Sequence, residues 1–247
     1  MLQILELILF QQKILKRVEK MKTIGLIGGT TWVSTKDYYK IINEIVRKKL
    51  GKNHSAKCIL YSVDFQDSIL DKNWNERTII FIDIAKKLEK FGADFIIICA
   101  NTMHKFADKI QNKISITILH IVDVTAKKIK EKKLKRVGLL GTKYTMREEF
   151  YINRIQEKFG IEIIVPTKNE QEYMHDVIIE ELAKEIINPN SKKKYIEICN
   201  NLILKGVEGI ILGCTEIPLL INEDDFNIPI FDTTKIHAEA AVEFALE

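Results

Sequence analysis

An apolar segment that runs directly into a cysteine occurs twice in this chain, at closely matched places in its two halves. Ala93-Asp-Phe-Ile-Ile-Ile-Cys99 continues as Ala-Asn-Thr-Met-His104, and Val207-Glu-Gly-Ile-Ile-Leu-Gly-Cys214 continues as Thr-Glu216. Each has the length and composition of a short buried strand, and polar residues suited to a helix start follow at once. Upstream, Lys22-Thr-Ile-Gly-Leu-Ile-Gly28-Gly29 has its counterpart in Lys135-Arg-Val-Gly-Leu-Leu-Gly141-Thr142. Gly25 precedes Cys99 by 74 residues, and Gly138 precedes Cys214 by 76. Ile116–Leu119 and Ile228–Phe231 then follow their cysteines at similar distances. Two half-chains of alternating strand and helix require parallel strands with covering helices. The expected fold is therefore α/β: two pseudo-symmetric three-layer α/β domains with mostly parallel sheets. Open parallel sheets bind ligands outside the carboxyl ends of their strands. A pseudo-twofold would set the two cysteine-bearing strand ends face to face across one cleft.

The remaining pattern fills in that frame. Helical spacing of Tyr38, Ile41, Ile42, Ile45 and Val46 predicts a helix that Gly51 ends, with Ser34 and Asp37 at capping-box spacing. Strands are expected at 58–63, 94–99, 116–119, 161–165, 209–213 and 227–231, and helices at 75–91, 123–132, 145–159, 170–187, 192–205 and 234–246. Thr145 and Glu148 repeat the capping-box spacing. The domain reading is 21–118, then 119–231, then a C-terminal helix over 232–247 that packs back on the first domain. Residues 1–20 are either an added amphipathic helix or an over-long translation start, because Met21 stands directly before the first strand. Leu7-Ile-Leu-Phe10 lacks a basic segment before it and a small-residue cleavage site after it, which does not fit a secretory signal.

Composition excludes several classes. The formal charge is +4, but lysines alternate with acidic residues along the helices, so no local patch calls for nucleic acid. No stretch is long enough to span a membrane. The cysteines at 58, 99, 199 and 214 form no CxxC pair and no metal-like spacing with histidine. Four scattered thiols point to a reduced, cytoplasmic protein. Cys58 and Cys199 read as packing; Cys99 and Cys214 read as chemistry, because they occupy matched places and precede hydroxyl or amide residues.

Two thiols facing one cleft suit two-base proton transfer at a carbon acid. The α-hydrogen of an amino acid is a very weak acid, and inverting its carbon without a cofactor needs a base on one face and an acid on the other. The cysteine pKa lies near enough to neutrality for this work. A strand-to-helix junction offers backbone N–H groups that lower a thiol pKa. The substrate carboxylate needs a cradle, and Gly28-Gly29-Thr30-Thr31-Trp32 supplies N–H groups and hydroxyls. Asn101, Thr102 and Thr215 adjoin the thiols and would complete it. Glu216 and His104 would tune the thiols or hold the ammonium group, and Gln66 would reach a side chain. Neither a GxGxxG nor a GxxxxGK[ST] pattern is present. No cofactor and no metal are called for.

Several of these segments together resemble the aspartate/glutamate racemase family, the cofactor-independent two-cysteine group. The resemblance runs from Met21 onward. It rests on Ile24-Gly-Leu-Ile-Gly-Gly29, Trp32-Val-Ser-Thr35, Ser62-Val-Asp-Phe65, Cys99-Ala-Asn-Thr-Met-His104, Val137-Gly-Leu-Leu-Gly-Thr142, Gly213-Cys-Thr-Glu216 and Phe231-Asp-Thr-Thr234. It implies an amino-acid racemase that interconverts L and D forms, Cys99 and Cys214 as the acid/base pair, and a homodimer. The segment after the second strand, Phe65-Gln-Asp-Ser-Ile-Leu70, lacks the arginine of the aspartate-selective branch, so the broad-specificity branch is the nearer match. Another proton-transfer reaction on the same scaffold, a decarboxylase or a cis–trans isomerase, or a non-catalytic amino-acid binding protein, are the alternatives.

Overall fold

The computed structural model describes residue 18 and residues 20–247. The expectation of an added helix over 1–20 therefore falls, save for residues 18 and 20, outside the described residues. Among the described residues, eight strands form two four-stranded sheets with every pairing parallel. In the first, β1 (Ile24–Gly28) lies between β2 (Cys58–Ser62) and β3 (Phe95–Ile98), and β4 (Thr117–Ile118) borders β3. In the second, β5 (Arg136–Gly141) lies between β6 (Glu162–Ile164) and β7 (Ile210–Gly213), and β8 (Ile230–Asp232) borders β7. Both sheets thus carry their four strands in the same spatial order. β1 and β7 are buried at every residue, which is why they read as unbroken apolar or glycine runs.

Helices cover both faces. α1 (Trp32–Leu50) follows β1, α2 (Trp74–Lys90) precedes β3, α3 (Ala107–Gln111) precedes β4, and α4 (Ile121–Glu131) leads into the second half. There α5 (Lys143–Arg147), α6 (Glu149–Phe159), α7 (Lys168–Glu180) and α8 (Pro189–Leu204) surround the sheet, and α9 (Thr233–Ala245) closes the chain. α9 lays Ala238, Ala241, Val242 and Ala245 against Tyr38, Ile42 and Val46 of α1, in the core of the first half. Small side chains there allow close helix approach. Its end is tied to β1 where the Lys22 amide donates to the Ala245 carbonyl at 2.9 Å.

The starts of α1 and α5 differ from expectation. Thr31, not Ser34, caps α1, its Oγ1 accepting from the Ser34 amide at 3.2 Å. Ser34 lies inside the first turn and spends its hydroxyl on the Cys99 carbonyl at 2.7 Å. Likewise Thr142 caps α5, and Glu148, in extended conformation, separates α5 from α6. In each case the capping hydroxyl sits three residues earlier, against the carboxyl end of the preceding strand. Between strand and cap, Gly29 has φ +88°, and a Cβ there would come within 2.1 Å of the Val63 carbonyl oxygen, so only glycine permits this turn. The expected helix over 170–187 stops at Glu180, followed by a short 3-10 turn over Leu182–Lys184.

β3 shows how the core is divided. Phe95, Ile97 and Cys99 face α1 and α9, while Ile96, Ile98 and Ala100 face α2 and the Met103–Phe106 turn. This is the two-residue alternation of any strand. Burial of each large apolar side chain in these layers contributes roughly 1.5–3 kcal/mol.

Candidate active site

Both halves contribute to a cavity of about 190 Å³ at the carboxyl ends of β1, β3, β5 and β7. Thr30, Thr31, Asn101 and Thr102 line it from the first half, and Thr142, Cys214, Thr215 and Glu216 from the second. Hydrogen bonds cross between the halves at its floor. Thr31 Oγ1 donates to Glu216 Oε1 at 2.6 Å, Asn101 Nδ2 donates to Thr233 Oγ1 at 2.9 Å, and the Thr102 and Thr142 hydroxyls lie 2.9 Å apart.

Cys214 sits where β7 ends and is 7% exposed. Its thiol donates to Glu216 Oε2 at 2.9 Å, and Thr215 Oγ1 donates to the same oxygen at 2.8 Å. Glu216 is 4% exposed and has no ion pair among the described residues; three hydrogen bonds hold its carboxylate instead. The Cys214 pKa is pushed well above the ordinary thiol value, by burial first and then by the Glu216 charge and hydrogen bond. Backbone N–H groups of Glu216 and Thr215 pull it down, as expected at such a junction, but burial wins. At rest, then, this pair is a neutral thiol bonded to a carboxylate. Moving the proton from Sγ to Oε2 would yield a thiolate without changing the net charge of the cleft.

Cys99 corrects the sequence expectation. It is 0% exposed, does not line the cavity, and packs with Leu26, Tyr38 and Ile42 on the opposite face of β3. Burial pushes its thiol far up, with the nearby Cys58 adding to the shift. At the end of β3 it is the next residue, Ala100, that reaches the cavity. Strand register explains why. Gly25 pairs with Ile96 and Gly138 pairs with Ile210. A Cβ on Gly25 would meet Ala93 and Ile96, and one on Gly138 would meet Val207 and Ile210. Asp94 accepts from the Thr23 amide as Glu208 accepts from the Lys135 amide. Each sheet position therefore matches its counterpart with Ala93 on Val207 and Asp94 on Glu208, which puts Cys99 on Gly213 and Ala100 on Cys214. The signal was available in the sequence: counted from Gly92 and Gly206, the two cysteines fall one place apart.

Of the other expected residues, Thr30, Thr31, Asn101, Thr102, Thr215 and Glu216 line the cavity. Trp32 does not; it is 60% exposed on the outside of α1, beneath the Lys36 ammonium. Gln66 does not either, its amide donating to Asp71 Oδ1 at 2.7 Å. Two buried polar atoms of the lining, Thr30 Oγ1 and Asn101 Oδ1, have no hydrogen-bond partner among the described residues. The Asn101 orientation follows from Thr233, whose hydroxyl donates to the Leu212 carbonyl and so accepts from Nδ2. An acceptor and a hydroxyl thus remain for a ligand.

Sequence reasoning missed the far wall. Phe65, Ile69, Leu70 and Trp74 from the first half meet Tyr144, Ile178 and Ile179 from the second. Arg77 also lines the cavity, its guanidinium 4.3 Å from the Trp74 ring centre and its Nε donating to the Lys72 carbonyl. It makes no ion pair among the described residues. Its cue was weak, because an arginine one turn into a helix reads as surface. Below the floor, three neutral histidines cluster: His104 lies 4.7 Å from His120, the rings tilted, and 5.6 Å from His237, edge to face, between ring centres. His104 Nδ1 donates to the Ala100 carbonyl at 2.8 Å, since Nε2 accepts from the Ile121 amide. His104 therefore steadies the strand end rather than a thiol. Among the described residues no group of three His, Cys, Asp or Glu is placed to hold a metal ion.

Comparison with known proteins bears on this cleft. Residues 27–241 match the family model described as Asp/Glu/Hydantoin racemase. The broad specificity amino-acid racemase RacX of Bacillus subtilis (strain 168) is 28% identical over 228 residues, spanning 89% of this chain and 96% of that protein. A Yersinia pestis structure described as a candidate Asp/Glu racemase superposes with TM-score 0.86 at 46% identity, covering 92% of this chain and all of that one. An aspartate racemase homologue from Pyrococcus horikoshii OT3 superposes with TM-score 0.81 at 39% identity, again over 92% of this chain and all of that one.

Proposed function

The chain belongs to the Asp/Glu/hydantoin racemase family, and on that premise we propose that it moves the α-proton of a free amino acid with Cys214 as the cleft thiol and Glu216 as its proton partner. The observation that carries this reading is the thiol–carboxylate hydrogen bond at the end of β7, inside a cavity built by both halves. In the reaction, the Cys214 proton passes to Glu216, and the thiolate takes the α-hydrogen. The electron pair left on Cα spreads into the substrate carboxylate. The hydroxyls of Thr30 and Thr102 stabilise that developing charge as hydrogen-bond donors. Asn101 Oδ1 accepts from the substrate ammonium, satisfying an atom that has no partner among the described residues. The Cys214–Glu216 pair, buried with no cation beside it among the described residues, keeps one negative charge opposite the same ammonium whichever of the two holds the proton.

The apolar wall formed by Phe65, Ile69, Leu70 and Ile178 faces the substrate side chain, with Arg77 at its edge. That combination accepts a side chain of some length and favours an anionic end, in keeping with an acidic or broadly chosen amino acid. We place the protein in the cytoplasm, because all four cysteines are free thiols. No described helix is long and apolar enough to cross a membrane. A homodimer is supported by Trp32 and Tyr39, two exposed aromatics seven residues apart on one face of α1. An amino acid is the only partner this reading requires, with no nucleic acid.

The test is a panel of single-enantiomer amino acids with enantiomer-resolved product detection. D-isomer formed from an acidic or other L-amino acid is the expected result. A panel with neither isomer formation nor α-hydrogen exchange for any member would reject the proposal.

A further inference from the structure

We infer that proton traffic at the substrate Cα runs on one face, through Cys214, so that this chain exchanges the α-hydrogen with solvent much faster than it inverts the carbon. This deepens the proposed function and rests on it. Its basis is the place of Ala100. The register of both sheets makes Ala100 the counterpart of Cys214, and Ala100 lines the cavity as Cys214 does. A methyl group neither takes nor gives a proton. Cys99 cannot substitute for it. To face the cleft, β3 would have to slip by one residue, which would turn Phe95, Ile97 and every other core side chain of that strand to the wrong side.

The other groups that the first half offers do not replace a thiol. Thr30, Thr31 and Thr102 are hydroxyls, Asn101 is an amide, and Arg77 stays protonated. His175, on α7 in the second half, lines the cavity beside Tyr144, the two ring centres 5.6 Å apart. It therefore belongs to the same half as Cys214.

The proton balance is simple. The Cys214 thiolate gains the α-hydrogen and becomes a thiol, while the carbon keeps the electron pair. Through the hydrogen bond to Glu216 Oε2 the thiol proton is traded for one from solvent. The thiol then returns a proton to the face it came from, and the configuration is retained. Inversion needs delivery to the face covered by Ala100, where only solvent can supply a proton. Positioned general acid–base catalysis is worth on the order of 10²–10⁴ in rate. Exchange should therefore exceed inversion by roughly a hundredfold or more.

The experiment follows α-deuterium incorporation by mass spectrometry and inversion by chiral separation in the same deuterated sample. Wild type is expected to incorporate deuterium with retention. Cys99→Ala should leave both rates within about twofold of wild type, and Ala100→Cys should raise inversion relative to exchange by at least about tenfold. Equal rates of exchange and inversion in wild type would overturn the inference. So would loss of inversion in Cys99→Ala or in His175→Ala. The wild-type ratio and the Cys99→Ala result decide the matter even if Ala100→Cys fails to fold. Absence of exchange for every amino acid would instead reject the proposed function, and this inference with it.

Discussion

Glu216 determines how Cys214 can act. The thiol is buried and its pKa raised, so bulk base near neutrality cannot ionise it directly. The proposed route instead passes its proton to the carboxylate 2.9 Å away. Glu216→Gln keeps the shape and removes the proton acceptor. Its α-hydrogen exchange should fall by about 10²–10⁴ and should climb with pH across pH 7–9, because the thiol must then ionise to solvent. Wild type should be nearly flat over that range; stopped-time exchange measurements at fixed substrate would tell the two apart. Arg77 carries a different prediction. Losing the Arg77 cation from the cavity edge in Arg77→Met should raise KM for aspartate and glutamate by about tenfold while leaving neutral amino acids unchanged, which initial-rate kinetics would read. Equal effects on both classes would remove Arg77 from side-chain selection. At this scale the sequence was half legible. Cys214, Thr215 and Glu216 could be read from their place after an apolar run. Cys99 was misplaced, although the counts from Gly92 and Gly206 differ by one, because a strand alternates its faces and one residue of misregister moves a thiol from cleft to core.

At the scale of elements, the first turn of α1 connects stability to the site. Thr31 caps the helix and also donates to Glu216 across the two halves. Thr31→Ala should therefore lower stability by about 1 kcal/mol for the lost cap, and slow exchange through a freer Glu216. Thr31→Ser should restore both, as urea unfolding and exchange assays would report. A stability loss with unchanged exchange would separate the two roles. Strand order was legible throughout, because buried parallel strands are continuous apolar runs; helix extents were less so, since the one expected over 145–159 is two, parted at Glu148, and the one over 170–187 stops at Glu180. Cap positions were not. Ser34 and Asp37 have the right spacing, but Thr31 lies nearer the strand end, and the sharp turn at Gly29 delivers it to the helix start.

Over the whole molecule, the two halves meet on a buried polar layer. His104, His120 and His237 join the first sheet, α4 and α9, and the Tyr38 hydroxyl donates to His237 Nδ1 at 2.9 Å. Burial lowers all three pKa values: His237 to about 4, His120 to about 2, and His104 well below its ordinary value. The unfolded chain would protonate them near 6.5. Neutral burial thus stabilises the fold fully above that pH, and the contribution is lost as pH falls from 6.5 toward the folded values. Each histidine costs about 1.4 kcal/mol per pH unit in that window. Urea midpoints should drop between pH 7 and pH 5, and His120→Asn should flatten the slope; a pH-independent midpoint would contradict this account. The sequence marked only His104, and for the thiols; nothing linked it to His120 and His237, because the three converge from distant segments. The central claim concerns one thiol between the two halves. Its most direct test is α-proton NMR of an accepted amino acid in deuterated water with Cys214→Ala. The account predicts that the α-proton signal persists, with deuterium uptake slowed at least about a thousandfold. Uptake at the wild-type rate in that variant would contradict it.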